Sequence, residues 1–278
     1  MKCKKKKALL WLCTLFSAII LVSIPAQAKT PREVTVDRYL GRGKNYTVIA
    51  YNNQQKNLKV YKSKSLKAKK YAGNFNYGAA AIVNVSKLKK GKKTAWIPIY
   101  MYNQKTKKGY KTGYLRARYV TLQVIGTKKF SNNKRIDKAI KTGFKYLGTP
   151  FKLPGDSLES GIDCAQFIAA VYRAGGKSGL GTHTNYLQAA SKEIFYHRRH
   201  NKNLSKKQLK KLKAGDLLFY LRDDTTGPID HVAMYIGNGL MINSSGHYGD
   251  TYPFGGITIK RVQYGRRYIV RAMRVRGI

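Results

Sequence analysis

Short runs of β-forming residues, separated by turn signals, fill the first half of this 278-residue chain. Val, Ile, Tyr and Thr recur in these runs, and such side chains suit a pleated, half-buried surface. Five runs follow the pattern: Tyr46–Tyr51, Leu58–Tyr61, Ala80–Val85, Ala95–Tyr100 and Tyr119–Val124. Their length, alternation and spacing predict a small all-β unit in this part of the chain.

The same half has an extreme charge imbalance. Between Arg38 and Arg135 the sequence has 25 Lys and Arg residues and no Asp or Glu, and the formal net charge of the chain is +43. A surface of one sign repels itself and attracts polyanions. The alternative is that the charge only keeps the chain soluble, or adapts it to an acidic habitat.

The N-terminus predicts a secretory signal peptide over residues 1–28. Met1–Lys7 holds five lysines and no acid, Ala8–Ile24 is apolar, and Ala26-Gln27-Ala28 fits the small-residue cleavage pattern. A retained membrane anchor is the alternative, although the apolar run is short for a span. Because no second apolar run is long enough to cross a bilayer, we expect no membrane association after the signal is removed.

Secretion also narrows the choice of polyanion. It argues against nucleic acid as a partner. In a bacterial envelope, the acidic partners would be wall polymers such as teichoic acids, together with phospholipid headgroups. The basic half is therefore expected to bind anionic wall polymers.

The cysteine content points to one thiol. Of the three cysteines, Cys3 and Cys13 lie within the predicted signal, so Cys164 remains without an intramolecular disulfide partner. A secreted protein would otherwise be free to form one. A single thiol of this kind is a candidate nucleophile. The other interpretation is a small buried hydrophobic residue.

Cys164 stands at the start of a predicted amphipathic helix. Asp163 is a suitable N-cap and Gly175-Gly176 a suitable stop. A thiol in the first turn lies at the positive end of the helix dipole, which favours the thiolate. Apolar residues follow at i+3, i+4, i+7 and i+8, along one helix face: Phe167, Ile168, Val171 and Tyr172.

A predicted β-hairpin supplies a base. Gly237-Asn238-Gly239 is a hairpin turn between two β-rich runs. A turn centred on Asn238 sets Asn243 opposite Ala233, on the same face as His231 and diagonal to it. A Cys nucleophile, a His base and an amide that orients the His form a known catalytic grouping.

The other four histidines are weaker candidates. His183 precedes a predicted helix, and His197 and His200 flank Arg198-Arg199 in a basic connector, where solvent should surround them. His247 lies in a Gly/Tyr loop, as an alternative base or a substrate contact. One thiol, with no close His pair outside that connector, gives no metal-ligand spacing. No cofactor is implied either.

Four segments resemble the successive motifs of the NlpC family of cell-wall cysteine peptidases. The match runs from about residue 132 to the C-terminus, in order and at family-like spacing. The resemblance implies a circularly rearranged papain-like α+β fold, with helices packed on an antiparallel sheet. It also implies cleavage of peptidoglycan stem peptides, commonly next to D-glutamate and a diamino acid. The segments are Gly161-Ile162-Asp163-Cys164, Gly215-Asp216-Leu217-Leu218-Phe219, Asp230-His231-Val232 and Tyr235-Ile236-Gly237-Asn238-Gly239.

The resemblance assigns roles by position. Cys164 matches the nucleophile and His231 the base. Asn243 falls where the family has a third polar residue, often His but sometimes Asn or Gln. Asp163 matches an acid that in relatives helps to hold the amino end of the substrate.

Two departures from the family pattern bear on substrate choice and on oxyanion stabilisation. The family commonly has Ser-Gly after the cysteine, where this chain has Ala165-Gln166. An upstream Tyr hydroxyl usually lies near the oxyanion, whereas Phe151, without a hydroxyl, stands closest to that place here; Tyr146 is the alternative source. With Asp163, the predicted substrate contacts are Phe151, Ala165 and His247.

The predicted organisation has three segments: a signal peptide at 1–28, a basic β-rich wall-targeting domain at 29–127, and an NlpC-like cysteine peptidase at 128–278. The stretch Gly109–Leu115, followed by Arg118-Tyr119-Val120, resembles the closing strands of the small β-barrels appended to bacterial wall enzymes. The predicted fold class is therefore α+β, with a small barrel-like all-β domain before the peptidase.

The predicted function is that of a secreted, cell-wall-associated peptidoglycan hydrolase with a Cys-His-Asn mechanism. Two alternatives stay open at this stage. One is a non-catalytic wall-binding protein that retains the fold. The other is a thiol amidase or transferase on the same fold, acting on an acylated substrate.

Overall fold

The computed structural model describes residues 33–278 except 42–44, 103–108, 202, 222–228 and 264–267. The predicted signal peptide at residues 1–28 lies outside the described residues. Four α-helices are described: α1 (Lys134–Lys145), α2 (Cys164–Ala174), α3 (Thr184–Ala189) and α4 (Lys206–Lys211).

Fifteen strands are described, which makes this an α+β fold dominated by antiparallel sheet. They are β1 (Val34–Thr35), β2 (Tyr46–Asn52), β3 (Ala79–Ile82), β4 (Lys93–Thr94), β5 (Trp96–Tyr102), β6 (Tyr110–Arg116), β7 (Val120–Gly126), β8 (Asp156–Ser157), β9 (Gly161–Ile162), β10 (Ser191–Asn201), β11 (Leu217–Leu221), β12 (His231–Gly237), β13 (Leu240–Ser245), β14 (Gly256–Arg261) and β15 (Tyr268–Val275).

One nine-stranded sheet runs through both halves of the chain, in the order β10-β15-β11-β12-β13-β14-β3-β2-β7. The two halves join where β14 pairs antiparallel with β3, Ile259 opposite Ala80. Tyr252 reinforces this junction because its hydroxyl accepts a hydrogen bond from the Ile82 N–H at 2.5 Å and its carbonyl accepts one from the Tyr102 N–H at 3.2 Å. The described residues form one compact unit.

Four of the five predicted N-terminal runs contain strands, namely β2, β3, β5 and β7, whereas Leu58 and Tyr61 form only isolated bridges. The expected small barrel is wrong. Strands β5 and β6 pair with each other in a separate two-stranded sheet. Strand β3 pairs with β2 on one edge and with β14 on the other. An isolated bridge between Val83 and Ile99 links the end of β3 to the β5–β6 sheet. The described strands do not close into a barrel, because the edge of β3 that closure would need pairs with β14 from the second half of the chain.

The two long helices cover the sheet as predicted. Helix α1 packs on α2, and α2 packs on β12 and β13. Asn133 caps α1 and Asp163 caps α2, each accepting two backbone N–H bonds. The apolar faces are buried: Ile136, Ala139 and Ile140 on α1, and Phe167, Ile168, Val171 and Tyr172 on α2.

The Gly215-Asp216 pair has a structural role. Gly215 has φ +97°, and a Cβ there would lie 2.7 Å from the Ile136 side chain, so a larger residue would not fit. Asp216 is buried and accepts two hydrogen bonds from Arg274, at 2.7 and 2.8 Å. The Tyr172 hydroxyl donates to the Gly215 carbonyl, and burial raises the pKa of Tyr172. These contacts tie β11 to β15 and to α2.

The expected solvated connector from His197 to Lys213 is wrong in its first part. Residues Ser191–Asn201 form β10, which pairs with β15 at the edge of the large sheet. His197 is buried, its Nε2 lies 3.3 Å from Gln208 Nε2, and burial lowers the pKa of its imidazole. A second buried cluster under α4, with Leu204 and Leu212, accounts for this burial. The His200 side chain lies outside the described residues.

Candidate active site

Helix α2 presents Cys164 as its first residue. Asp163 Oδ1 accepts hydrogen bonds from the Ala165 and Gln166 N–H groups, both at 2.9 Å, which fixes the start of the helix. Cys164 is partly exposed, whereas Ala165 is buried. A partly exposed thiol in a first helical turn has the position that nucleophilic chemistry needs.

The predicted hairpin register is confirmed. Met234 pairs with Ile242, which sets Ala233 opposite Asn243. The turn residues Gly237, Asn238 and Gly239 all have positive φ, at 92°, 55° and 71°, which explains why Gly and Asn occupy them.

This register brings His231 and Asn243 into contact. Asn243 Nδ2 lies 2.8 Å from His231 Nε2, and both side chains are buried. The Tyr220 ring lies beside the imidazole, with 5.9 Å between ring centroids. The imidazole is therefore held on one nitrogen by an amide and flanked by an aromatic ring.

A hydrogen bond links the hairpin to the residues that precede Cys164. The Ser244 hydroxyl, next in the chain to Asn243, donates to the Ile162 carbonyl at 2.6 Å, and both residues are buried. Since Ile162 is two residues from Cys164, this bond fixes the distance between the hairpin and the start of α2. Sequence reasoning missed Ser244, because a serine within a strand gives no local signal of such a contact.

Phe151 lies beside the same segment. It bridges Ile162 in parallel, its N–H donates to the Asp250 carbonyl at 3.0 Å, and its carbonyl accepts from the Gly249 N–H at 2.8 Å. The ring is half-buried. Tyr146, the alternative source of a hydroxyl, forms the C-cap of α1, with the Lys145 ammonium 5.3 Å from its ring centroid.

An open cavity of about 530 Å³ is lined by Pro150 and Lys152, the chain neighbours of Phe151, whereas Phe151, Cys164 and His231 are not among its lining residues. Both halves of the chain line it, since Tyr102 ends β5 whereas the other lining residues belong to the second half. Lys152 and Glu159 provide one charge of each sign. The full lining is Tyr102, Pro150, Lys152, Glu159, Ser160, Gly249 and Thr251.

His247 lies beyond the end of β13 and is exposed. Its N–H donates to Asp250 Oδ2 at 2.8 Å. It lines a smaller, polar cavity of about 230 Å³ together with Asn57, Gly73, Asn74, Asn76, Asp250 and Phe254. His247 therefore belongs to a different pocket from the 530 Å³ cavity.

Asp163 is electrostatically unusual. Burial raises the pKa of its carboxyl, although hydrogen bonds from Gln166, Ala165 and Gly155 and the nearby charge of His183 act in the opposite direction. His183, which sequence reasoning set aside, precedes α3 and is exposed. Its closeness to Asp163 depends on the path of a loop, which local sequence patterns do not predict.

Within the described ranges, no group of three or more His, Cys, Asp or Glu side chains could hold a metal ion. In the same part of the chain, none of the helices has the length and apolar composition needed to cross a membrane.

The model of the NlpC/P60 family matches residues 148–264. A gamma-D-glutamyl-L-lysine dipeptidyl-peptidase of Bacillus cereus is 33% identical over 111 residues, which are 39% of this chain and 28% of that protein. The murein DD-endopeptidase MepH of Escherichia coli is 28% identical over 173 residues, 61% of this chain and 57% of that protein.

Among solved structures, an NlpC/P60 family protein from Bacillus cereus is similar, with a TM-score of 0.39 and 22% identity over 83% of this chain and 63% of that chain.

The described residues form an α+β fold. It carries a thiol at the start of a helix and a buried His–Asn pair on a hairpin. The chain carries an NlpC/P60 family domain at residues 148–264. Its matches cover 28% and 57% of the two curated relatives named above. By name, the first relative is a dipeptidyl-peptidase acting on gamma-D-glutamyl-L-lysine and the second is a murein endopeptidase.

Proposed function

We propose that this protein is a secreted peptidoglycan hydrolase that cleaves stem peptides at a D-glutamyl–diamino acid bond by a Cys-His-Asn mechanism. The observation that carries the proposal is the buried 2.8 Å contact between Asn243 and His231, on the two strands against which the Cys164 helix packs. Cys164 begins α2 and His231 begins β12, so both stand at the ends of elements that pack together. The substrate bond is inferred from the relatives' names.

The reaction starts with proton transfer. Since Asn243 occupies Nε2 of His231, Nδ1 is the nitrogen that takes the thiol proton of Cys164. The neutral ring then carries its proton on Nε2, and the amide oxygen of Asn243, exchanged with Nδ2 by a half-turn of the amide, accepts it. The thiolate attacks the peptide carbonyl carbon, and the backbone N–H of Cys164 stabilises the resulting oxyanion. The imidazolium then protonates the leaving amine as the C–N bond breaks, which leaves a thioester on Cys164.

Hydrolysis of the thioester completes the cycle. His231 takes a proton from water, and the hydroxide attacks the thioester carbonyl. The C–S bond breaks, the carboxylic acid leaves, and the thiolate is released for another turnover. Asn243 holds the imidazole through both halves, so that the same nitrogen serves as acid and as base.

The stem peptide would occupy the 530 Å³ cavity beside Phe151. A stem peptide carries both carboxylates and amines, which Lys152 and Glu159 in the lining can attract. With no hydroxyl at Phe151, the ring would pack on the substrate instead of donating to the oxyanion. Phe151, whose chain neighbours Pro150 and Lys152 line this cavity, and Ala165, next to the thiol, are proposed to contact the substrate, and His247, in the second cavity, to contact a more distant part of it.

Digestion of purified sacculi tests the proposal. The protein without its signal peptide should release soluble fragments that carry a new amino group on the diamino acid, identified by mass spectrometry, while the glycan chains stay intact. Release of whole stem peptides would indicate an amidase instead. Tight binding without any released fragment would indicate a non-catalytic wall-binding protein.

The proposed contact of Asp163 with the substrate amine leads to a prediction. Asn caps helices as well as Asp does, so Asp163→Asn should leave the free energy of unfolding within about 0.5 kcal/mol of the parent. The variant loses a charge-assisted bond from Oδ2, and KM should rise about tenfold, with little change in kcat. Steady-state kinetics on a stem peptide would measure both.

Two features sharpen this test. Burial raises the pKa of Asp163, so the ionised form costs stability above that pKa, and Asp163→Asn should not be less stable at neutral pH. As a control, Asp163→Ala loses the cap and should lower the free energy of unfolding by about 1 kcal/mol. An unchanged KM in the Asn variant would remove Asp163 from substrate binding.

We further propose that the basic half, residues 29–127, targets the enzyme to anionic wall polymers such as teichoic acids. Two loops present five exposed lysines each, with no acid between them. Such a concentration of one charge favours multi-point contact with a polyanion. The lysines are Lys62, Lys64, Lys67, Lys69 and Lys70 in the first loop, and Lys87, Lys89, Lys90, Lys92 and Lys93 in the second.

A further inference from the structure

One side of helix α1 carries a straight row of exposed lysines. They recur at intervals of four, three and four residues, which keeps them within about 60° of one another around the helix axis. At a rise of about 1.5 Å per residue, the row is about 16 Å long. An open depression of about 440 Å³ lies along it, with Asp137 and Thr142 between the lysines. The lysine row consists of Lys134, Lys138, Lys141 and Lys145.

The lysine row is electrostatically unfavourable within α1. Like charges three or four residues apart on a helix repel each other. Lys134 is the first residue of α1, where the positive end of the helix dipole adds to the repulsion. Asp137 compensates only in part, because one of its oxygens accepts a hydrogen bond from Lys141 at 2.7 Å and the other accepts one from the Phe130 N–H at 2.7 Å. An anion bound along the row would relieve the remaining repulsion.

The opposite side of α1 argues against a membrane surface as that anion. Helices that bind a membrane surface insert an exposed apolar face among the lipids. The apolar face of α1 is instead buried in the core, with Ile136, Ala139 and Ile140, and α1 packs on α2. A narrow row of charge, with no apolar face to insert, fits a linear polyanion better.

The spacing of the lysines fits a phosphodiester chain. In a glycerol phosphate chain, six backbone bonds separate successive charges. Three backbone bonds of an extended peptide span at most about 3.6 Å, so six such bonds span at most about 7 Å. Neighbouring lysines of the row are about 4.5–6 Å apart along the helix axis, and their flexible side chains can cover the difference. Several successive phosphates can therefore contact the row at once.

The lysine row ends near the cavity proposed for the substrate. Lys145 is the last residue of α1, and Pro150, which lines that cavity, follows it by five residues. Five residues of extended chain span at most about 18 Å, so the two residues are no further apart than that. A polymer bound along α1 would therefore hold the wall that carries it near the candidate active site.

We propose that the lysine row of α1 binds a linear phosphodiester polymer of the wall, of the class of the glycerol phosphate chains of teichoic acids. The site lies in the second half of the chain, separate from the lysine loops of residues 29–127. The inference rests on the proposed function for its partner, since both concern the wall, but it requires no catalysis. Two separate points of contact would fix the orientation of the protein on the wall, which one point would not.

Binding of purified poly(glycerol phosphate) to the protein without residues 1–28 tests the proposal. Glutamine at three lysines of the row removes three positive charges and leaves Lys141 paired with Asp137. At low salt, Kd should rise at least about tenfold. With three fewer phosphate contacts, the slope of log Kd against log salt concentration should fall by about two. Because the substituted side chains are exposed, the temperature of thermal unfolding should not fall. The three lysines are Lys134, Lys138 and Lys145.

Glutamine at three lysines of α4 is the matched control. It removes the same charge from the second half, but these lysines are spread over about 140° around the helix axis and form no row. Kd in this control should stay within about threefold of the parent. Equal losses of affinity in both variants would show that net charge alone matters, and would overturn the proposal. The control lysines are Lys206, Lys207 and Lys211.

Two further measurements locate the site. Acetylation with limiting reagent, followed by mass spectrometry, should show that the polymer protects the lysine row and leaves the α4 lysines reactive. Absence of that protection would contradict the site. Vesicles of phosphatidylglycerol are the second probe. If the row variant loses binding to the vesicles but keeps binding to the polymer, the row belongs to a membrane surface and the proposal fails.

These results are separable from the proposed function. None of the measurements requires turnover, so a protein that does not hydrolyse stem peptides would contradict the hydrolase and leave the α1 result decisive. Glutamine at the five lysines of the first loop gives a further comparison. Loss of polymer binding in that variant alone would support targeting by residues 29–127 and refute a site on α1.

Discussion

Replacement of Cys164 by alanine should abolish stem-peptide hydrolysis and leave the fold unchanged. The thiol is the proposed nucleophile, and loss of a nucleophile in a Ser or Cys hydrolase lowers kcat by at least about a thousandfold. The side chain is small and partly exposed, so its removal creates little cavity. Hydrolysis can be followed by mass spectrometry on a soluble stem peptide, and folding by the temperature of thermal unfolding.

Alkylation provides an independent measurement of the same thiol. Iodoacetamide should modify Cys164 at near-neutral pH and inactivate the protein in proportion to the modified fraction. Replacement of His231 by alanine should slow alkylation, because the thiol would lose the group that takes its proton. Full activity in the Cys164→Ala variant would rule out cysteine peptidase chemistry, with or without alkylation.

Wall binding should depend steeply on salt. Multi-point attraction between lysines and a polyanion releases counterions, so affinity for intact walls should fall by at least about tenfold as salt is raised from low to physiological concentration. The Cys164→Ala variant without residues 1–28 is the suitable probe, since it would not digest the walls. Removal of teichoic polymers from the walls should weaken binding in the same way. The amount of protein bound to sedimented walls measures both effects.

A pair of matched variants distinguishes targeting from net charge. Glutamine at the five exposed lysines of the first loop, Lys62, Lys64, Lys67, Lys69 and Lys70, should weaken wall binding strongly. Glutamine at five exposed lysines around α4, Lys206, Lys207, Lys210, Lys211 and Lys213, removes the same charge from the second half and should have a much smaller effect. Equal effects would contradict a targeting role for the basic half. Binding that survives high salt and polymer removal would point instead to a shaped glycan or peptide pocket.

Local features of the site could be predicted from the sequence. The N-cap at Asp163, the apolar face of α2 and the hairpin register across Asn238 all depend on residues within one or two turns of each other. Such short-range patterns determine backbone geometry directly. The contact between His231 and Asn243 followed from that register, although the two residues are twelve positions apart.

Long-range pairing could not be predicted in the same way. The edge that β3 shares with β14 joins residues about 180 positions apart, and nothing in the local pattern of either strand identifies the other. That pairing is what prevents the expected barrel from closing. The burial of His197 and the closeness of His183 to Asp163 likewise depend on tertiary packing that a basic or Gly-rich stretch does not reveal.

The proposed active site also contains buried polar atoms that lack the expected hydrogen-bond partners among the described residues. The unpaired atoms of Asn243 and Thr258 break the rule that buried polar groups are satisfied, and they lie directly behind the proposed base. Functional sites are where such exceptions are expected. Only the cross-strand register reveals this pair, because the two residues are fifteen positions apart in the chain.

The most direct test of the proposed nucleophile is capture of the acyl-enzyme. A stem peptide should be mixed with the protein, the reaction quenched rapidly in acid, and the intact protein and its proteolytic peptides weighed by mass spectrometry. We predict an added mass equal to the N-terminal acyl fragment of the substrate, located on the peptide that contains Cys164 and absent from the Cys164→Ala variant. Rapid hydrolysis with no such adduct, or with the adduct on another residue, would contradict Cys164 as the nucleophile.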